Sequence, residues 1–316
     1  MRLPRAFQAI PLATLFLALL CPWGAVPRAQ DSEQALEDQI GSSIGAGQID
    51  AALAQARAAV TRFPRSAPLH QLLGAALFKK SLKAEARAAF RRAIELDPKV
   101  PQNHFNLALV DLSENKYTEA AKSLEKFLRL EPGNTQAHVL LGRAYHNLNR
   151  TLPAIEHFKK ALQLAPQLPL VHYHLGYAYQ SQGNLAAALG EYQLEIRLSP
   201  DFYEPYWLAG NIELGKGNLD AAERLFRRGI SLKPDAFQAP YGLARVLVAR
   251  KKLEEAEAVL KRVLELKPDH AEAHYALART YQQMGREEDA AREYKIVAEI
   301  HARSARQHSG IAGRQP

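Results

Sequence analysis

Proline recurs every 34 residues along most of this chain, and no interval departs from that spacing. The seven prolines are Pro64, Pro98, Pro132, Pro166, Pro200, Pro234 and Pro268. A fixed period of this size is typical of a stacked repeat array, in which each repeat contacts mainly its neighbours. Because such arrays act through their surfaces, the period predicts a surface that binds something rather than an enclosed active site.

Three further positions keep the same register. Gly or Ala lies ten residues after each proline, and Ala lies twenty-two residues after it without exception. A large apolar residue follows four positions later: Phe90, Leu124, Phe158, Tyr192, Phe226, Leu260 and Tyr294. Small residues let two helix backbones approach closely, and large ones fill the space beside them. The pattern therefore predicts two helices per repeat, about sixteen in an all-α chain.

A short break separates the two helices of most repeats. It contains residues that tolerate the left-handed conformation in which helices often end: Asn115, Asn149, Gly183, Gly217 and Gly285. The recurring proline then closes the second helix or opens the next one.

A Leu-Gly pair with Tyr three residues after the Gly, an Ala-to-aromatic spacing and the closing proline together resemble the tetratricopeptide repeat family. The likeness is carried by Leu141, Gly142, Tyr145, Ala154, Phe158 and Pro166, and again by Leu175, Gly176 and Tyr179. It implies an all-α superhelix, or solenoid, of stacked 34-residue helix-turn-helix repeats. Residues 67–304 give seven repeats, and residues 33–66 resemble a degenerate first repeat whose second helix is Gln48–Phe63.

Three positions depart from the family pattern. Phe127 and Glu195 stand where a small residue is normal, and Pro240 stands where a helix should already be running. We expect these residues to change local packing and to leave the fold intact.

The N-terminus has a different composition. Arg2 and Arg5 precede an apolar run that ends at Cys21, and a small-residue stretch follows to Ala29. This order predicts a secretory signal peptide over residues 1–29, and hence an exported protein, periplasmic or extracellular. An uncleaved membrane anchor is the alternative. At the other end, residues 305–316 are predicted to be a disordered tail.

Charge and cysteine content limit the possible functions. Residues from Gln30 onward carry 38 basic and 33 acidic side chains, because Arg2, Arg5 and Arg28 precede it and no acidic residue does. This mild and diffuse excess favours no nucleic-acid partner, although it suits an acidic one. Cys21 is the single cysteine, so cleavage of the signal peptide would exclude disulfides and thiolate chemistry.

Aromatic residues recur seven positions after the proline, and polar residues recur one helical turn later. In the tetratricopeptide family this first-helix face lines the concave surface, which makes the set a predicted partner-binding groove. Its members are Phe105, Arg143, Tyr173, Tyr177, Trp207, Asn211, Tyr241, Arg245, Tyr275 and Arg279. Aromatic side chains and Arg are typical of binding hot spots. The alternative is that the aromatics pack against the next repeat and only support the array.

The histidines invite a metal hypothesis, which their spacing disfavours. His172 and His174 lie two residues apart and so point to different faces of a helix. Equivalent histidines in successive repeats are too far apart to share one zinc ion. No phosphate-binding loop, nucleophile elbow or zinc-protease motif occurs. The sequence thus predicts no metal, no cofactor and no enzymatic activity.

Taken together, these features predict a non-catalytic scaffold that binds a peptide or protein segment, acidic or aromatic in character, in the groove of a superhelix. The resemblance implies a role in assembling cell-envelope complexes. The alternative is a carbohydrate-binding or polysaccharide-export accessory protein, since stacked aromatics with Asn and Arg also suit sugar rings. A membrane partner enters only if the N-terminal segment is an anchor.

Overall fold

The computed structural model describes residues 32–312, which fold into sixteen α-helices and no β-strand. The all-α prediction is confirmed. The predicted signal peptide, residues 1–29, lies outside the described residues. The helices are α1 (Glu33–Gly45), α2 (Ile49–Arg62), α3 (Ala67–Lys79), α4 (Lys83–Leu96), α5 (Pro101–Leu112), α6 (Tyr117–Leu130), α7 (Thr135–Asn147), α8 (Thr151–Leu164), α9 (Val171–Ser181), α10 (Leu185–Leu198), α11 (Glu204–Gly215), α12 (Leu219–Leu232), α13 (Gln238–Ala249), α14 (Leu253–Leu266), α15 (Ala271–Gln283) and α16 (Glu287–Ala312).

The helices form two compact units, divided after Leu96. In the first unit α1 to α4 pack in chain order, and α1 and α2 occupy the predicted degenerate repeat. In the second unit each helix from α5 to α16 packs against its neighbours in the chain. The first helices of neighbouring repeats also contact each other, as α11 and α13 do. This pattern of contacts is that of a solenoid, as the 34-residue period predicts.

Small residues and large rings meet inside four of the repeats, as the sequence predicts. A Cβ atom placed on Gly142 would lie 2.7 Å from Cε1 of Phe158, so only hydrogen fits there. The same contact recurs between Gly74 and Phe90, Gly176 and Tyr192, and Gly210 and Phe226. Because van der Waals contact needs more room than this, the first helix can approach the second only through glycine at these sites.

The break between the two helices of a repeat places one residue in the left-handed conformation, always seventeen positions after the proline. Asn115 and Asn149 have φ values of 57° and 56°, and Gly183, Gly217 and Gly285 have values of 72° to 81°. Ser81 and Lys251 occupy the same position with φ values of 62° and 61°. The sequence did not predict these two, since neither Ser nor Lys favours this conformation.

The recurring histidines close their own repeats by binding the carbonyl of the proline six residues earlier. The Nε2–O distances are 3.1 Å for His70, 3.1 Å for His104, 3.0 Å for His138, 3.3 Å for His172 and 2.9 Å for His274. Tyr206 donates to Pro200 O in the same way at 2.8 Å. Since a carbonyl only accepts, each Nε2 carries a proton. Within residues 32–312 no three His, Cys, Asp or Glu side chains come together as metal ligands.

The three departures from the family pattern have local consequences. Phe127 fills its site with a ring, 5.1 Å from the ring of Phe105. Glu195 is fully buried and accepts hydrogen bonds from the backbone N–H groups of Leu170 (3.0 Å) and Tyr173 (3.3 Å) at the start of α9. Pro240 lies in the first turn of α13, where an N–H group has no helical partner, so the helix tolerates it.

The last helix is longer than the sequence predicts. Helix α16 spans 26 residues and ends at Ala312, whereas the other second helices span 14. The predicted disordered tail, residues 305–316, therefore begins inside a helix. Three good helix formers, Ala305, Arg306 and Gln307, follow Ser304 directly, and they favour continuation of the helix there. No helix among the described residues has both the length and the apolarity of a membrane span.

Candidate functional site

Four of the predicted groove residues line one large cavity, which we call the C-terminal pocket. Helices α13, α15 and α16 surround about 580 Å³. The pocket is lined by Tyr241, Arg245, Val248, Ala249, Ala271, Glu272, Tyr275, Ala276, Arg279, Gln283, Val297 and His301. Its lining includes five aliphatic residues, and its polar groups are two guanidinium groups, one carboxylate, one amide, one imidazole and the tyrosine hydroxyls. Such a cavity can receive an apolar side chain and also hydrogen-bond to polar groups beside it.

The two tyrosines of the C-terminal pocket are held differently. Tyr241 is half-buried, its ring lies 4.9 Å from that of His270, and burial raises the pKa of its hydroxyl. Tyr275 is 48% exposed and meets the ring of Tyr294 edge-on at 5.7 Å. Tyr275 is therefore fixed from one side and free on the other, which is the arrangement of a contact residue.

The guanidinium groups of this pocket have few partners. Arg245 donates to Oδ1 of Asn211 at 3.3 Å and lies 6.0 Å from the centroid of the Tyr241 ring. Arg279 is exposed, and within the described part of the chain its guanidinium has no hydrogen bond or ion pair. The carboxylate of Glu272 approaches Nδ1 of His270, 3.0 Å away, rather than either arginine. Both arginines remain available to a carboxylate from outside.

Three other predicted groove residues line a smaller cavity, which we call the middle pocket. Helices α7, α8 and α9 surround about 190 Å³, and the lining residues are Arg143, His146, Asn147, Phe158, Tyr173, His174 and Tyr177. The ring of His174 lies flat against that of Phe158, with centroids 5.7 Å apart and planes 13° apart. Tyr177 is 41% exposed and contacts His146 edge-on at 5.1 Å.

The remaining three predicted groove residues lie outside both pockets. Phe105 is only 8% exposed, and the ring of Phe127 lies 5.1 Å from its own, so most of its surface is used in packing within the array. Trp207 is half-buried and packs against apolar clusters on both sides, and its Nε1 is buried with no hydrogen-bond partner among the described residues. Asn211 orients Arg245. Phe105, and in part Trp207, therefore pack within the array, as the alternative interpretation of the recurring aromatic residues predicts.

Several lining residues were not predicted. Val297 and His301 come from α16, and the sequence offered a signal for them, since Tyr294, Val297 and His301 follow one another at helical spacing. His146, Asn147 and His174 lie one turn or less from predicted residues. They were missed because the prediction followed two repeat positions only, whereas each pocket draws on the neighbouring positions as well.

Sequence comparison places the chain in a class of helical-repeat proteins. Models of the tetratricopeptide repeat match residues 44–101 and 105–169, and residues 213–269 and 247–312. These matches cover well over half of the chain, and the chain belongs to the tetratricopeptide repeat family. A search of proteins with curated functions gives no significant match.

Three solved structures with the same fold each cover between half and two thirds of this chain. MamA is 25% identical over 51% of this chain and 95% of its own, with a TM-score of 0.50. YrrB, a tetratricopeptide repeat protein with an unusual peptide-binding site, is 24% identical over 60% of this chain and 98% of its own, with a TM-score of 0.53. PilF of Pseudomonas aeruginosa is 19% identical over 66% of this chain and 94% of its own, with a TM-score of 0.55.

Proposed function

We propose that this protein is a non-catalytic interaction scaffold that binds a segment of another protein in the C-terminal pocket. The observation that carries the proposal is the pairing, in one cavity, of the exposed Tyr275 ring with the guanidinium groups of Arg245 and Arg279. The peptide-binding site of YrrB, a protein with the same fold, supports the same use of the fold here.

The chemistry of the pocket favours an acidic segment with at least one apolar side chain. Val248, Ala276 and Val297 provide aliphatic surface, and burying it releases about 25 cal/mol for each Å² removed from water. Among the residues that the structure describes, Arg279 has no carboxylate partner, so an Asp or Glu of the ligand would meet an unpaired guanidinium group. A neutral or basic segment would leave that charge without compensation.

Selection of displayed random peptides on the full chain, followed by calorimetry of the recovered peptides, tests the proposal. Tyr275→Ala and Arg279→Gln should each weaken binding, Tyr275→Ala by about 2 kcal/mol or more, as truncation of a hot-spot aromatic does. Leu152→Ala and Arg197→Gln are matched controls, because both residues are exposed and neither lines the two pockets. These controls should bind like the wild type.

Two outcomes would argue against a peptide-binding pocket. Affinities that do not change in Tyr275→Ala, together with a large fall in melting temperature, would make the tyrosine structural. Binding on a glycan array that depends on Tyr275, with no peptide recovered, would favour the carbohydrate-binding alternative.

We further propose that the protein is exported and acts in the assembly of cell-envelope complexes. The support is the order of basic, apolar and small residues over residues 1–29, which is typical of a signal peptide. A reporter fused after Ala35 should leave the cytoplasm, and the exported protein should begin near Gln30. Soluble protein that retains Met1 would contradict the proposal.

A further inference from the structure

Two imidazole rings meet head-on between α7 and α8. Nδ1 of His138 lies 2.9 Å from Nδ1 of His157, which is the length of a hydrogen bond. The ring centroids are 5.2 Å apart, and the ring planes differ by 28°. Because the centroid distance exceeds the Nδ1–Nδ1 distance by the width of one ring, the two nitrogens point at each other along one line. The contact is therefore a hydrogen bond between the rings and not a stack of one ring on the other.

The position of each proton in this histidine pair follows from the neighbouring groups. Nε2 of His138 donates to the carbonyl oxygen of Pro132 at 3.0 Å, so the neutral ring has its lone pair on Nδ1. Nδ1 of His157 must then carry the proton that joins the two rings. The lone pair that remains free in the pair is on Nε2 of His157, a half-buried residue.

This link tolerates one added proton and fails with two. The first added proton enters at Nε2 of His157, where it leaves the link in place and makes its donor charged. A second proton has to enter at Nδ1 of His138, because no other ring nitrogen of the pair is free. Two N–H groups on two positive rings would then face each other and repel. The two steps belong to the pair and not to either ring alone.

The other repeats do not oppose two imidazoles at this point. The residues at the position of His157, twenty-five after each proline, are Ala89, Ser123, His157, Glu191, Leu225, Val259 and Glu293. Nδ1 of His172 donates to Glu191 at 2.7 Å, and Nδ1 of His274 donates to Glu293 at 2.5 Å. A carboxylate still accepts when the imidazole is charged, so these two links should hold in acid until the carboxylate itself is protonated.

The charges around His157 come from three helices. Burial, and then the charge of His138, lower the pKa of His157, while Glu156 of α8 and Glu125 of α6 act in the opposite direction. The ring of Tyr145, on α7, lies 5.7 Å from that of His157. Because its pKa is lowered, the His157 ring is neutral at pH 7, and the pair gains its charges only as the pH falls.

The other titratable side chains beside the pair have partners of their own. The hydroxyl of Tyr145 donates to Glu125 at 2.5 Å, and the Arg150 guanidinium lies 4.6 Å from the centroid of the Tyr145 ring. From α9, the ring of Tyr179 lies 5.7 Å from Nζ of Lys159. The shared proton is therefore the contact of this region that acid changes most directly.

We propose that the histidine pair is a pH-sensitive clamp, which holds α7 against α8 at neutral pH and releases it when both rings are charged. Arg143 and His146 lie on α7 and Phe158 lies on α8, so release loosens two walls of the middle pocket. The inference does not depend on the proposed function, because it concerns how the pocket is held and not what enters it. A zinc ion cannot take the place of the proton, since it needs about 2.0–2.1 Å to each nitrogen and the nitrogens are 2.9 Å apart on one line.

Nuclear magnetic resonance of the full chain, labelled with ¹⁵N at histidine, tests the proton positions. At pH 8 the proton of His157 should be on Nδ1 and that of His138 on Nε2. The variants His157→Gln and His138→Tyr assign the two rings among the eleven histidines. Tyr is chosen because Tyr206 occupies the position of His138 in another repeat and donates to its own proline carbonyl. A histidine that is merely packed does not require the Nδ1–H tautomer.

Hydrogen exchange at about pH 8 and about pH 5, corrected for its intrinsic pH dependence, tests the clamp itself. On acidification the protection of α7 and α8 should fall about tenfold further in the wild type than in His157→Gln, as expected for one lost hydrogen bond. The amide of Gln can donate to a neutral His138 or accept from a charged one, so this variant should keep its link. Because His174 is present in both proteins, its own titration cancels in the comparison.

The reciprocal substitution moves the clamp to another repeat. Glu191→His places two imidazoles opposite each other between α9 and α10, where His172 now meets a carboxylate. Acid should then reduce the protection of α9 and α10 about tenfold further than it does in the wild type.

Three results would overturn the inference. A His157 ring with its proton on Nε2 at pH 8 would leave no hydrogen to join the rings. An equal loss of protection in the wild type and in His157→Gln would show that the pair does not hold the helices. A loss that disappears when a chelator is added would assign the effect to a metal ion. Peptide binding that depends on Tyr275 and Arg279 is measured separately, so the proposed function stands or falls without this result.

Discussion

The middle pocket and the C-terminal pocket are built from the same repeat positions, yet they differ in volume and polarity. In each, residues 11, 14 and 15 after one proline face residues 7, 8 and 11 after the next. Three of these six positions change from polar to apolar: His146 corresponds to Val248, Asn147 to Ala249, and His174 to Ala276. The cavity grows from about 190 Å³ to about 580 Å³.

This difference shows that two levels of the sequence determine the site. The 34-residue period fixes where a pocket lies, because it fixes which faces of successive first helices meet. The side chains at three positions then decide what the pocket can bind, since His and Asn offer hydrogen bonds where Val and Ala offer contact area. Mutations that affect one pocket should therefore leave the other unchanged.

The largest expected effect comes from removing the ring beneath the middle pocket. Phe158 is 1% exposed, packs under Gly142 and supports the ring of His174. Phe158→Ala should lower the free energy of unfolding by about 3–5 kcal/mol, the usual cost of an unfilled aromatic site. Hydrogen exchange should quicken in α7 to α9 and remain slow in α13 to α15, because solenoid repeats couple mainly to their neighbours. Equally faster exchange in both regions would show that the two pockets are not structurally independent.

The next effect is the pH dependence of stability that His174 contributes in the middle pocket. The pKa of His174 is lowered to about 4, so the unfolded chain binds a proton at this residue near pH 6.5 while the folded protein does not. The resulting stability is present above the unfolded pKa and is lost as the pH falls. Between pH 7 and pH 4 the loss is about 3 kcal/mol.

Urea unfolding of the wild type and of His174→Ala at several pH values measures how much His174 contributes to the pH dependence of the free energy of unfolding. The variant should lose less stability on acidification, because alanine does not titrate. Alanine is also the residue at the equivalent position of the C-terminal pocket, Ala276. The comparison uses the difference between two proteins, so the other titrating groups largely cancel. Parallel curves for the two proteins would show that His174 is protonated in the folded state well above pH 4.

A smaller effect tests the support of Tyr173 at the edge of the middle pocket. Glu195 accepts the N–H groups of Leu170 and Tyr173, and Leu170 has a φ of 69°, which a non-glycine residue adopts only under constraint. The equivalent residue at the C-terminal pocket, twenty-nine positions after Pro268, is Val297, whose side chain has no acceptor atom. Glu195→Val should cost about 2 kcal/mol by leaving buried N–H groups unpaired.

Glu195→Gln is the control for that substitution, since it keeps the shape and one acceptor oxygen. It should retain most of the stability measured by thermal unfolding, and the near-ultraviolet circular dichroism of the tyrosines should stay close to that of the wild type. If the two variants lose the same stability, the buried carboxylate acts through its charge rather than through its hydrogen bonds.

The sequence predicts the repeats better than it predicts the pockets, and the reason is the distance over which each is determined. Helices, breaks and the Gly142–Phe158 contact depend on residues within one repeat, whose register is visible along the chain. The burial of Phe105 depends on Phe127, twenty-two residues away, at a site where the family has a small residue. The sequence showed that Phe127 was unusual but not which ring it would cover.

The C-terminal pocket also includes residues that the repeat period does not predict. Its four predicted residues were found because they follow the repeat, but Val297 and His301 lie on α16, which continues beyond the last repeat. The open volume of a pocket depends on the side chains that meet across helices. A period read along the chain gives the positions of those helices and not the space left between them.

The smallest expected effect concerns the breaks that precede the second helices of the two regions. Lys251 and Asn149 occupy the same left-handed position, with φ values of 61° and 56°. Asn adopts this conformation readily and Lys does not, whereas Gly adopts it without cost. Lys251→Gly should therefore raise the free energy of unfolding by about 0.5–1 kcal/mol, less the entropy that Gly adds to the unfolded chain. Asn149→Gly should change it by a few tenths at most. Thermal unfolding of both variants measures the contrast, and a gain at Asn149 equal to that at Lys251 would show that the strain at this position does not depend on the side chain.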